Sequence, residues 1–331
     1  MTTMHPGIVV IGRNEAARLP KCLHSLPKGV PTLYVDSGSS DGSPTIAEAL
    51  GFRVIALSDD KPFSAARARN AGFEALVGLH PGLDAIFFID GDCVLDATFL
   101  PEALPLLAAR KDCAIIVGRV EEDQVGDNVY GLLADLEWRS PGPGEIRDFG
   151  QLGGIMLVRV DDFQAIGGFD PDFIAGEDSE FGIRLHLTGR KTLRIDTVMA
   201  HHAMEMERFG QWWRRSIRAG HALAHRNAVH GRSALADSKS AVKSTLVYGI
   251  AVPALTIAGV PIFGLSGLAP LAAYLFLAWR FFAYYRSKRA DRRAATLGAL
   301  FGILAKFANA VGLIRFYVQR AQGRFSLVEY R

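Results

Sequence analysis

The first part of the chain alternates short apolar runs with longer amphipathic stretches. The apolar, β-branched runs predict strands over residues 8–11, 33–35, 54–57, 85–89 and 114–117. The amphipathic stretches predict helices over residues 15–26, 44–50, 63–77 and 99–109. This order of elements predicts an α/β domain with a mostly parallel sheet and helices on both of its faces.

Polar residues follow three of these predicted strands. Arg13-Asn14-Glu15 follows the first strand, Asp36-Ser37-Gly38 the second and Asp90-Gly91-Asp92 the fourth. Ligands of parallel sheets bind beyond the carboxyl ends of the strands. The three segments therefore predict the walls of one binding cleft.

Beyond residue 243 the pattern changes to nearly continuous apolar sequence. The 36 residues from Ser244 to Trp279 contain no charged side chain. A helix of that length would reach roughly 54 Å, enough for two short passes through an apolar core about 30 Å thick. Gly264, Gly267 and Pro270 offer a turn near the middle, so we predict a membrane hairpin over 244–286. The alternative is a buried hairpin in a soluble protein.

Basic residues follow this hairpin and orient it. They are Arg286, Lys288, Arg289, Arg292 and Arg293. Because basic residues stay on the cytoplasmic side, the hairpin is expected to leave that side and return to it. Residues 294–320 predict an amphipathic or third membrane helix, and an interfacial helix is favoured because spanning would export Arg320 and Arg324.

Composition and charge narrow the choice of partners. The net charge is +3, and no long basic block precedes Ser240, so the chain is not expected to bind nucleic acid. Cys22, Cys93 and Cys113 lack the spacing of a zinc site and predict buried, reduced thiols. The start of the chain has no signal-peptide pattern, so the first domain is expected on the cytoplasmic side of the cytoplasmic membrane.

Aspartates are the strongest chemical signal. Asp90 and Asp92 end a strongly apolar strand and can share a divalent cation, although a solvated turn is the alternative on spacing alone. Asp36 can accept hydrogen bonds from a base or a ribose, while Asp41 or Ser43 can cap the next helix. The absence of a Gly-x-Gly-x-x-Gly segment after the first strand argues against a dinucleotide site.

Five segments in order resemble glycosyltransferase family 2, whose inverting members have the GT-A fold. They are 9–15 (VVIGRNE), 35–42 (VDSGSSDG), 66–72 (ARARNAG), 88–92 (FIDGD) and 176–181 (GEDSEF). The resemblance implies a membrane-associated bacterial hexosyltransferase that takes a sugar from a nucleotide-diphosphate donor, most often a UDP-sugar. The predicted membrane location adds a hydroxyl of a lipid-linked or envelope glycan as the expected acceptor, and membrane lipid as a partner.

The same resemblance implies roles for individual residues. Nucleotide binding would involve Asn14, Glu15, Asp36, Ser37, Asp41, Arg67, Asn70 and Asp90, with Arg67 or Arg69 near the diphosphate. Asp92, Asp90 and His201 would hold Mg²⁺ or Mn²⁺; of the adjacent histidines, His201 is favoured. Asp178 would be the general base, while Gly153, Gly154 and Glu177 would lie on the acceptor side.

A helix with paired tryptophans and arginines follows this region. Gln211 and Arg214 fit the Gln-x-x-Arg-Trp segment of processive membrane relatives and are candidates for contacting the diphosphate. Arg215 stands where those relatives have tryptophan, which argues against processive polymer synthesis. The alternative is that Trp212–Arg218 lies at the lipid headgroups.

The sequence therefore predicts four regions. They are a GT-A catalytic domain over 1–230, a linker over 231–243, the hairpin over 244–286 and the helix over 294–320. A nucleotidyltransferase of similar fold is one rival, but it should show a glycine-rich basic loop where Arg13-Asn14-Glu15 stands. A non-catalytic membrane scaffold is the other, and it predicts the loss of carboxylates that this chain retains.

Overall fold

The chain forms two compact units. A computed structural model describes residues 4–122, 128–139, 142–202, 206–233 and 237–323. The first unit comprises Met1–Asp123 and Pro141–Ala203, and the second comprises Gln124–Ser140 and Met204–Arg331. Residues 234–236 of the predicted linker lie outside the described residues.

The first unit is built on one sheet, to which the described residues contribute nine strands. They are β1 (Pro6–Gly12), β2 (Thr32–Asp36), β3 (Arg53–Ala56), β4 (Ala85–Asp90), β5 (Cys93–Leu95), β6 (Cys113–Glu122), β7 (Gly144–Glu145), β8 (Met156–Arg159) and β9 (Lys191–His202). The strand order is β3-β2-β1-β4-β8-β6-β9-β5, and β7 pairs with β9. The strands β3, β2, β1 and β4 are parallel, whereas β8 and β5 run antiparallel to their neighbours.

Helices cover this sheet. They are α1 (Leu19–Ser25), α2 (Ser43–Ala49), α3 (Ala65–Leu79), α4 (Phe99–Ala109), α6 (Val160–Ala165) and α7 (Glu177–Leu187), with a short 3₁₀ helix at Phe149–Gln151. The side chains of β1 and β4 are almost wholly buried, as expected for a sheet covered on both faces. Phe73, Phe88, Phe163, Phe169 and Phe181 form an aromatic cluster in this core. The predicted α/β architecture is confirmed.

Two elements of the first unit differ from the sequence prediction by four or more residues at one end. Helix α1 begins at Leu19 rather than at residue 15, because Pro20 occupies its first turn, where a missing N–H is tolerated. Strand β6 continues to Glu122, five residues beyond the predicted end at residue 117, and pairs there with His202. This extension brings Glu122 next to the last residues of β9.

The second unit is helical. Its helices are α5 (Val129–Trp138), α8 (Phe209–His230), α9 (Asp237–Leu246), α10 (Val252–Phe263), α11 (Ala273–Ser287) and α12 (Arg292–Ala321). A π-helical turn at Val247–Ala251 joins α9 to α10, and a 3₁₀ helix at Gly264–Ala272 joins α10 to α11. One core cluster gathers Leu133, Leu136, Met206, Trp212, Ala290, Ala294 and Ala295.

The segment Ser238–Ser287 is an apolar hairpin. Its chain reverses near Gly264, whose φ of +59° suits glycine. Across the reversal, the Tyr274 hydroxyl donates to the Tyr248 carbonyl at 2.5 Å, and a Cβ on Gly267 would lie 2.3 Å from the backbone of Gly259. Its most apolar stretch has a mean hydropathy of 2.0 and is only 6% buried. By length and composition this segment can cross a membrane.

Helix α12 is the second segment long and apolar enough to cross a membrane, with a mean hydropathy of 1.8 and 33% of its most apolar stretch buried. It packs closely on α8: a Cβ on Gly312 would lie 2.0 Å from the Ile217 carbonyl oxygen, and one on Gly220 would lie 2.3 Å from the Asn309 carbonyl oxygen. Small residues therefore allow these two helices to approach at backbone distance.

Candidate active site

The carboxyl ends of β1, β2 and β4 lie side by side. Gly12 is opposite Asp36 in the β1–β2 ladder, and Ile11 is opposite Asp90 in the β1–β4 ladder. The three polar segments that follow these strands therefore share one edge of the sheet, as their place in the sequence predicts.

Asp36 shapes the loop after β2. Its side chain accepts hydrogen bonds from Gly38 N at 3.0 Å, Ser39 N at 2.8 Å, the Ser39 hydroxyl at 2.5 Å and the Tyr34 hydroxyl at 3.1 Å. Four acceptor positions are what a carboxylate offers, so this loop already uses them. Burial, together with the Asp36 carboxylate, raises the pKa of Tyr34, which stays protonated. The predicted contact with a nucleobase would have to share or displace one of these bonds.

Asn14, Glu15 and Asp41 join the loops after β1 and β2. Asn14 has a φ of +58°, and its Oδ1 accepts from Ser40 N at 2.8 Å. Glu15 N donates to the Ser43 hydroxyl at 2.9 Å, and Asp41 Oδ2 accepts from Ala16 N at 2.8 Å. Ser37 is buried, and its N–H donates to the Gly12 carbonyl at 3.0 Å. These predicted nucleotide-binding residues thus hold two loops in register.

Arg69 lies at the centre of the site. Its side chain, 2% exposed, donates to Asp90 Oδ1 at 2.9 Å and to Glu177 Oε1 at 2.6 Å. A Cβ on Gly154 would lie 2.0 Å from the Arg69 guanidinium, so only glycine leaves room for it. Burial alone would lower the pKa of Arg69, but Asp90 and Glu177 more than offset it and keep the guanidinium charged. Arg69 therefore joins the end of β4 to the start of α7.

Arg67 and Asn70, two other residues predicted to contact the nucleotide, form hydrogen bonds to the protein backbone. Arg67 donates to the carbonyls of Lys61 at 2.6 Å, Pro62 at 3.0 Å and Ser58 at 3.1 Å, which ties it to the loop before α3. The Asn70 amide exchanges two hydrogen bonds with the backbone of Phe169, at 2.7 and 2.9 Å. Of the two arginines considered for the diphosphate, the structure places Arg69 beside Asp90.

A second cluster forms around Asp92. His202 Nε2 lies 3.7 Å from Asp92 Oδ2, and His202 Nδ1 lies 2.9 Å from Glu122 Oε2. His201 Nε2 instead lies 3.4 Å from Asp96 Oδ2. Successive strand residues face opposite sides of a sheet, and β5 pairs Cys93 with His202 but Val94 with His201. The structure corrects the histidine: His202, not the predicted His201, faces Asp92.

This second cluster fits a divalent cation. The ligand atoms of Asp92, Cys93 and His202 all lie within 4.8 Å of one another. Carboxylate and imidazole suit Mn²⁺, whereas burial raises the pKa of the Cys93 thiol and leaves it a poor ligand for a hard cation. Burial alone would lower the pKa of His202, but the nearby carboxylates of Asp92 and Glu122 raise it to about 10, so a metal would replace that proton.

Helix α7 presents three acidic residues in its first turn, namely Glu177, Asp178 and Glu180. Glu177 is held by Arg69, and Glu180 is paired with Arg184 at 2.7 Å. Glu177 and Glu180 are buried, while Asp178 is partly exposed. Gly176 precedes the helix with a φ of +73°. Of the three carboxylates, Asp178 is the one with access to solvent.

Gln211 and Arg214 belong to α8 of the second unit. Gln211 Oε1 accepts from Glu207 N and Arg208 N, both at 3.0 Å, and so caps the start of the helix. Arg215, which replaces the tryptophan of processive relatives, pairs with Glu137 on α5. Gln211 therefore has a structural use, and contact of Gln211 or Arg214 with a diphosphate stays a prediction.

Glu122 was missed from the sequence. It lies at the end of β6 with its side chain 1% exposed against His202. The signal that could have found it is the continued alternation of Val120 and Glu122 beyond the apolar run, which extends the strand to the level of His202. A buried carboxylate on a histidine fixes the tautomer and orientation of the imidazole.

Comparison with a solved structure identifies the fold class. The mannosyltransferase PcManGT from Pyrobaculum calidifontis, solved in complex with GDP-Man and Mn²⁺, superposes with a TM-score of 0.60 at 18% identity, covering 93% of this chain and 88% of that one. At this identity the likeness shows the fold. The α/β sheet, its flanking helices and the strand-end carboxylates therefore define a GT-A fold, as predicted.

Two family models match the chain. Residues 7–165 match glycosyl transferase family 2, and residues 145–209 match the N-terminal domain of galactosyltransferase. Residues 7–165, just under half of the chain, thus carry the match to glycosyltransferase family 2 that the sequence resemblance predicts. The predicted family is confirmed, and with it the predicted enzyme class.

Curated relatives match parts of the chain. Succinoglycan biosynthesis protein ExoA of Rhizobium meliloti is 24% identical over 216 residues, which are 61% of this chain and 64% of that protein. A TPR repeat-containing protein of Synechococcus elongatus is 35% identical over 130 residues, or 39% of this chain and 30% of that protein. The chain thus matches less than two thirds of the length of either relative.

Proposed function

We propose that the chain transfers a sugar, with inversion, from a nucleotide-diphosphate donor to a hydroxyl acceptor. This proposal rests mainly on the two ion pairs of Arg69, which join Asp90 at the end of β4 to Glu177 at the start of α7. One buried guanidinium thereby ties the donor side of the cleft to the helix that bears Asp178. Family membership and the name of PcManGT, a mannosyltransferase, support the same reaction.

Asp178 is the proposed general base. During direct displacement the acceptor oxygen attacks the anomeric carbon while its proton passes to the Asp178 carboxylate, and the bond from that carbon to the diphosphate oxygen breaks. Arg69 fixes the first turn of α7 through Glu177 and so positions Asp178. Glu15 and Asp41 keep the donor loops closed against each other.

Asp92 and His202 are the proposed metal ligands, with Asp90 beside them and Glu122 orienting His202. Mg²⁺ or Mn²⁺ held there would supply positive charge that stabilises the departing nucleotide diphosphate. PcManGT was solved with Mn²⁺, which supports Mn²⁺ as the first ion to test.

A UDP-sugar is the proposed donor, and a lipid-linked or envelope glycan hydroxyl the proposed acceptor. GDP-Man, present in the PcManGT structure, is the alternative donor.

The proposed organisation of the chain has four regions. They are the catalytic domain over 1–230, the linker over 231–243, the hairpin over 244–286 and the helix over 294–320. The two long apolar helices and the basic residues from Arg286 to Arg293 support membrane attachment with the catalytic domain on the cytoplasmic side.

Donor hydrolysis by the purified full-length chain tests the proposal. UDP-sugars and GDP-sugars are compared with Mn²⁺, Mg²⁺ or a chelator, and the released nucleotide is measured. We expect Asp178→Asn to lower the rate by about 10²–10⁴-fold, because a general base contributes that much. Asp92→Ala should remove the metal dependence.

The control for both variants is Asp96→Asn, because Asp96 faces His201 and lies outside the proposed metal cluster. It should retain wild-type activity. Full activity in both Asp92→Ala and Asp178→Asn would overturn the site assignment, and hydrolysis of GDP-sugars alone would overturn the UDP donor.

A further inference from the structure

Lys306 is a cation in the middle of an apolar helix. It lies halfway along α12, and its ammonium group is 5.5 Å from the centroid of the Phe281 ring on α11. Among the described residues, no carboxylate and no hydrogen-bond acceptor contacts it. A lysine at such a place is costly unless an anion or a polar phase is within its reach.

A second cation lies beside it. Arg280 directly precedes Phe281 on α11, the residue whose ring lies against the Lys306 ammonium, and its own guanidinium lies 5.9 Å from the centroid of the Phe276 ring. The sequence from residue 238 to residue 323 contains a single acidic residue, Asp291, and its carboxylate accepts from Ala294 N to cap the start of α12. The described helices around Lys306 and Arg280 therefore leave this pair of positive charges without a counter-charge.

The packing of three helices fixes the position of Lys306. A Cβ on Gly302 would lie 2.9 Å from the Phe281 ring, and a Cβ on Gly249 would lie 2.3 Å from the Lys306 carbonyl oxygen. Gly249 belongs to the π-helical turn at Val247–Ala251. Turns of this kind are frequent at functional sites. The backbone under Lys306 is thus held from two sides.

The depth of the pair relative to the basic residues at the α11–α12 connection can be read along α11. Phe281 precedes Lys288 by seven residues, which is about 10 Å of helix. Side chains of a helix lean toward its N-terminus, so Lys306 extends back toward the same basic connection. With that connection at the headgroups, Lys306 reaches the layer where lipid phosphates and the first acyl carbons meet. The Arg280 guanidinium lies 5.9 Å from the centroid of the Phe276 ring, on the side away from the connection, so it must turn toward the connection to meet the same phosphate.

We infer that Arg280 and Lys306 bind the phosphate group of an anionic membrane lipid where α11 and α12 pack together. The guanidinium can bind two phosphate oxygens at once, and the ammonium adds a point charge. Phe276 and Phe281, next to the two cations, offer apolar surface to the first part of an acyl chain. This lipid site is independent of the proposed sugar transfer.

Native mass spectrometry of the full-length chain in detergent tests this site. The probe is phosphatidic acid, with phosphatidylcholine and inorganic phosphate in parallel arms. Wild type should retain phosphatidic acid, and Lys306→Gln or Arg280→Gln should retain it about tenfold less, as expected from the loss of one close charge. Lys306→Arg should restore retention. Arg293→Gln, an exposed cation at the start of α12, is the matched control and should lose much less.

Thermal unfolding separates binding from folding. Removing an unpaired charge from an apolar helix should leave the lipid-free protein at least as stable, while phosphatidic acid should stabilise wild type but not Lys306→Gln. Equal retention or equal stabilisation in wild type and Lys306→Gln would overturn the inference. Equal retention of phosphatidylcholine, or displacement of phosphatidic acid by an equal concentration of inorganic phosphate, would overturn it as well.

Discussion

The two units of this chain place charged and apolar side chains in opposite ways. In the first unit buried charges meet partners within the unit, as Arg69 meets Asp90 and Glu177, and as His202 meets Glu122. In the second unit apolar side chains face outward, with Ile257 and Leu275 each 75% exposed. Its cations at the α11–α12 contact have no carboxylate among the described residues.

The proposed attachment of the second unit to a membrane accounts for this difference. A cleft that binds a charged donor in water needs fixed counter-charges of its own, because burying an unpaired ion is costly. A unit in contact with lipid gains nothing from hiding its apolar side chains and can take counter-charges from headgroups. Substitutions in the first unit should therefore disturb internal pairs, whereas those in the second should change what the protein binds.

The largest effect is expected where an internal pair is broken. Arg69→Met leaves Glu177 buried without its cation and Asp90 with one charge fewer beside it. We expect the free energy of unfolding to fall by about 3 kcal/mol, the lower end for a broken buried pair because Asp90 is partly exposed. Denaturant unfolding of the full-length chain measures it.

Arg67→Met, two residues away, is the control for that loss. It removes hydrogen bonds to the loop before α3 but strands no buried carboxylate, so a cost of about 1 kcal/mol is expected. If both variants lose the same free energy of unfolding, the ion pairs of Arg69 with Asp90 and Glu177 contribute no more to stability than the hydrogen bonds of Arg67.

A smaller effect is expected from crowding the same pair. Gly154→Ala places a Cβ 2.0 Å from the Arg69 guanidinium and must displace it, so we expect a loss of about 1–3 kcal/mol together with a lower transfer rate. Gly78→Ala on α3 meets nothing within 4 Å and should stabilise by about 0.5–1 kcal/mol. Thermal unfolding compares the two, and a loss confined to Gly78→Ala would contradict the packing seen at Gly154.

The smallest effect on folding is expected in the hairpin. The double variant Ile257→Ser and Leu275→Ser changes exposed side chains, so the stability in detergent should move by less than about 0.5 kcal/mol for each site. Binding to vesicles should nevertheless weaken in a flotation assay, because two apolar contacts with lipid are lost. Leu277 lies on α11, as Leu275 does, but is only 2% exposed. Leu277→Ser should therefore lower the stability in detergent and change vesicle binding little. The comparison fails if the exposed pair destabilises as much as Leu277→Ser.

The sequence predicts the positions of strand ends better than the directions of side chains. Asp36 and Asp90 could be placed at one edge because parallel strands bring their carboxyl ends together. The sequence favoured His201 over His202, but the choice depends on how β9 is registered against β5, which the sequence does not reveal. The role of Glu122 was missed because β6 extends beyond its apolar residues. In that last part of β6 the strand is held by pairing with β9, which the sequence pattern does not reveal.

Helix rotation explains the two arginines of α3. Arg67 and Arg69 are two positions apart and face different directions on a helix. Gly72 sets the rotation, because a Cβ there would lie 2.3 Å from Val9, which presses this face of α3 onto the sheet. Arg69, one turn before Gly72, is turned inward with it. In the hairpin, by contrast, glycine and proline predict the reversal near Gly264. The π-helical turn could not be predicted, because apolar residues occur all round that helix and give no periodicity that a change of helix type would disturb.

The shared guanidinium of Arg69 has a consequence for binding at the site. Because one cation serves two carboxylates, whatever draws Asp90 away, such as a ligand that binds it, leaves Arg69 to Glu177 alone and tightens that contact. Occupancy at the donor end and rigidity at the start of α7 are therefore thermodynamically linked, and the linkage is reciprocal. With the roles proposed for Asp90 and Asp178, a bound donor therefore makes the helix that carries the base more rigid, and an acceptor held by that helix tightens donor binding by the same factor.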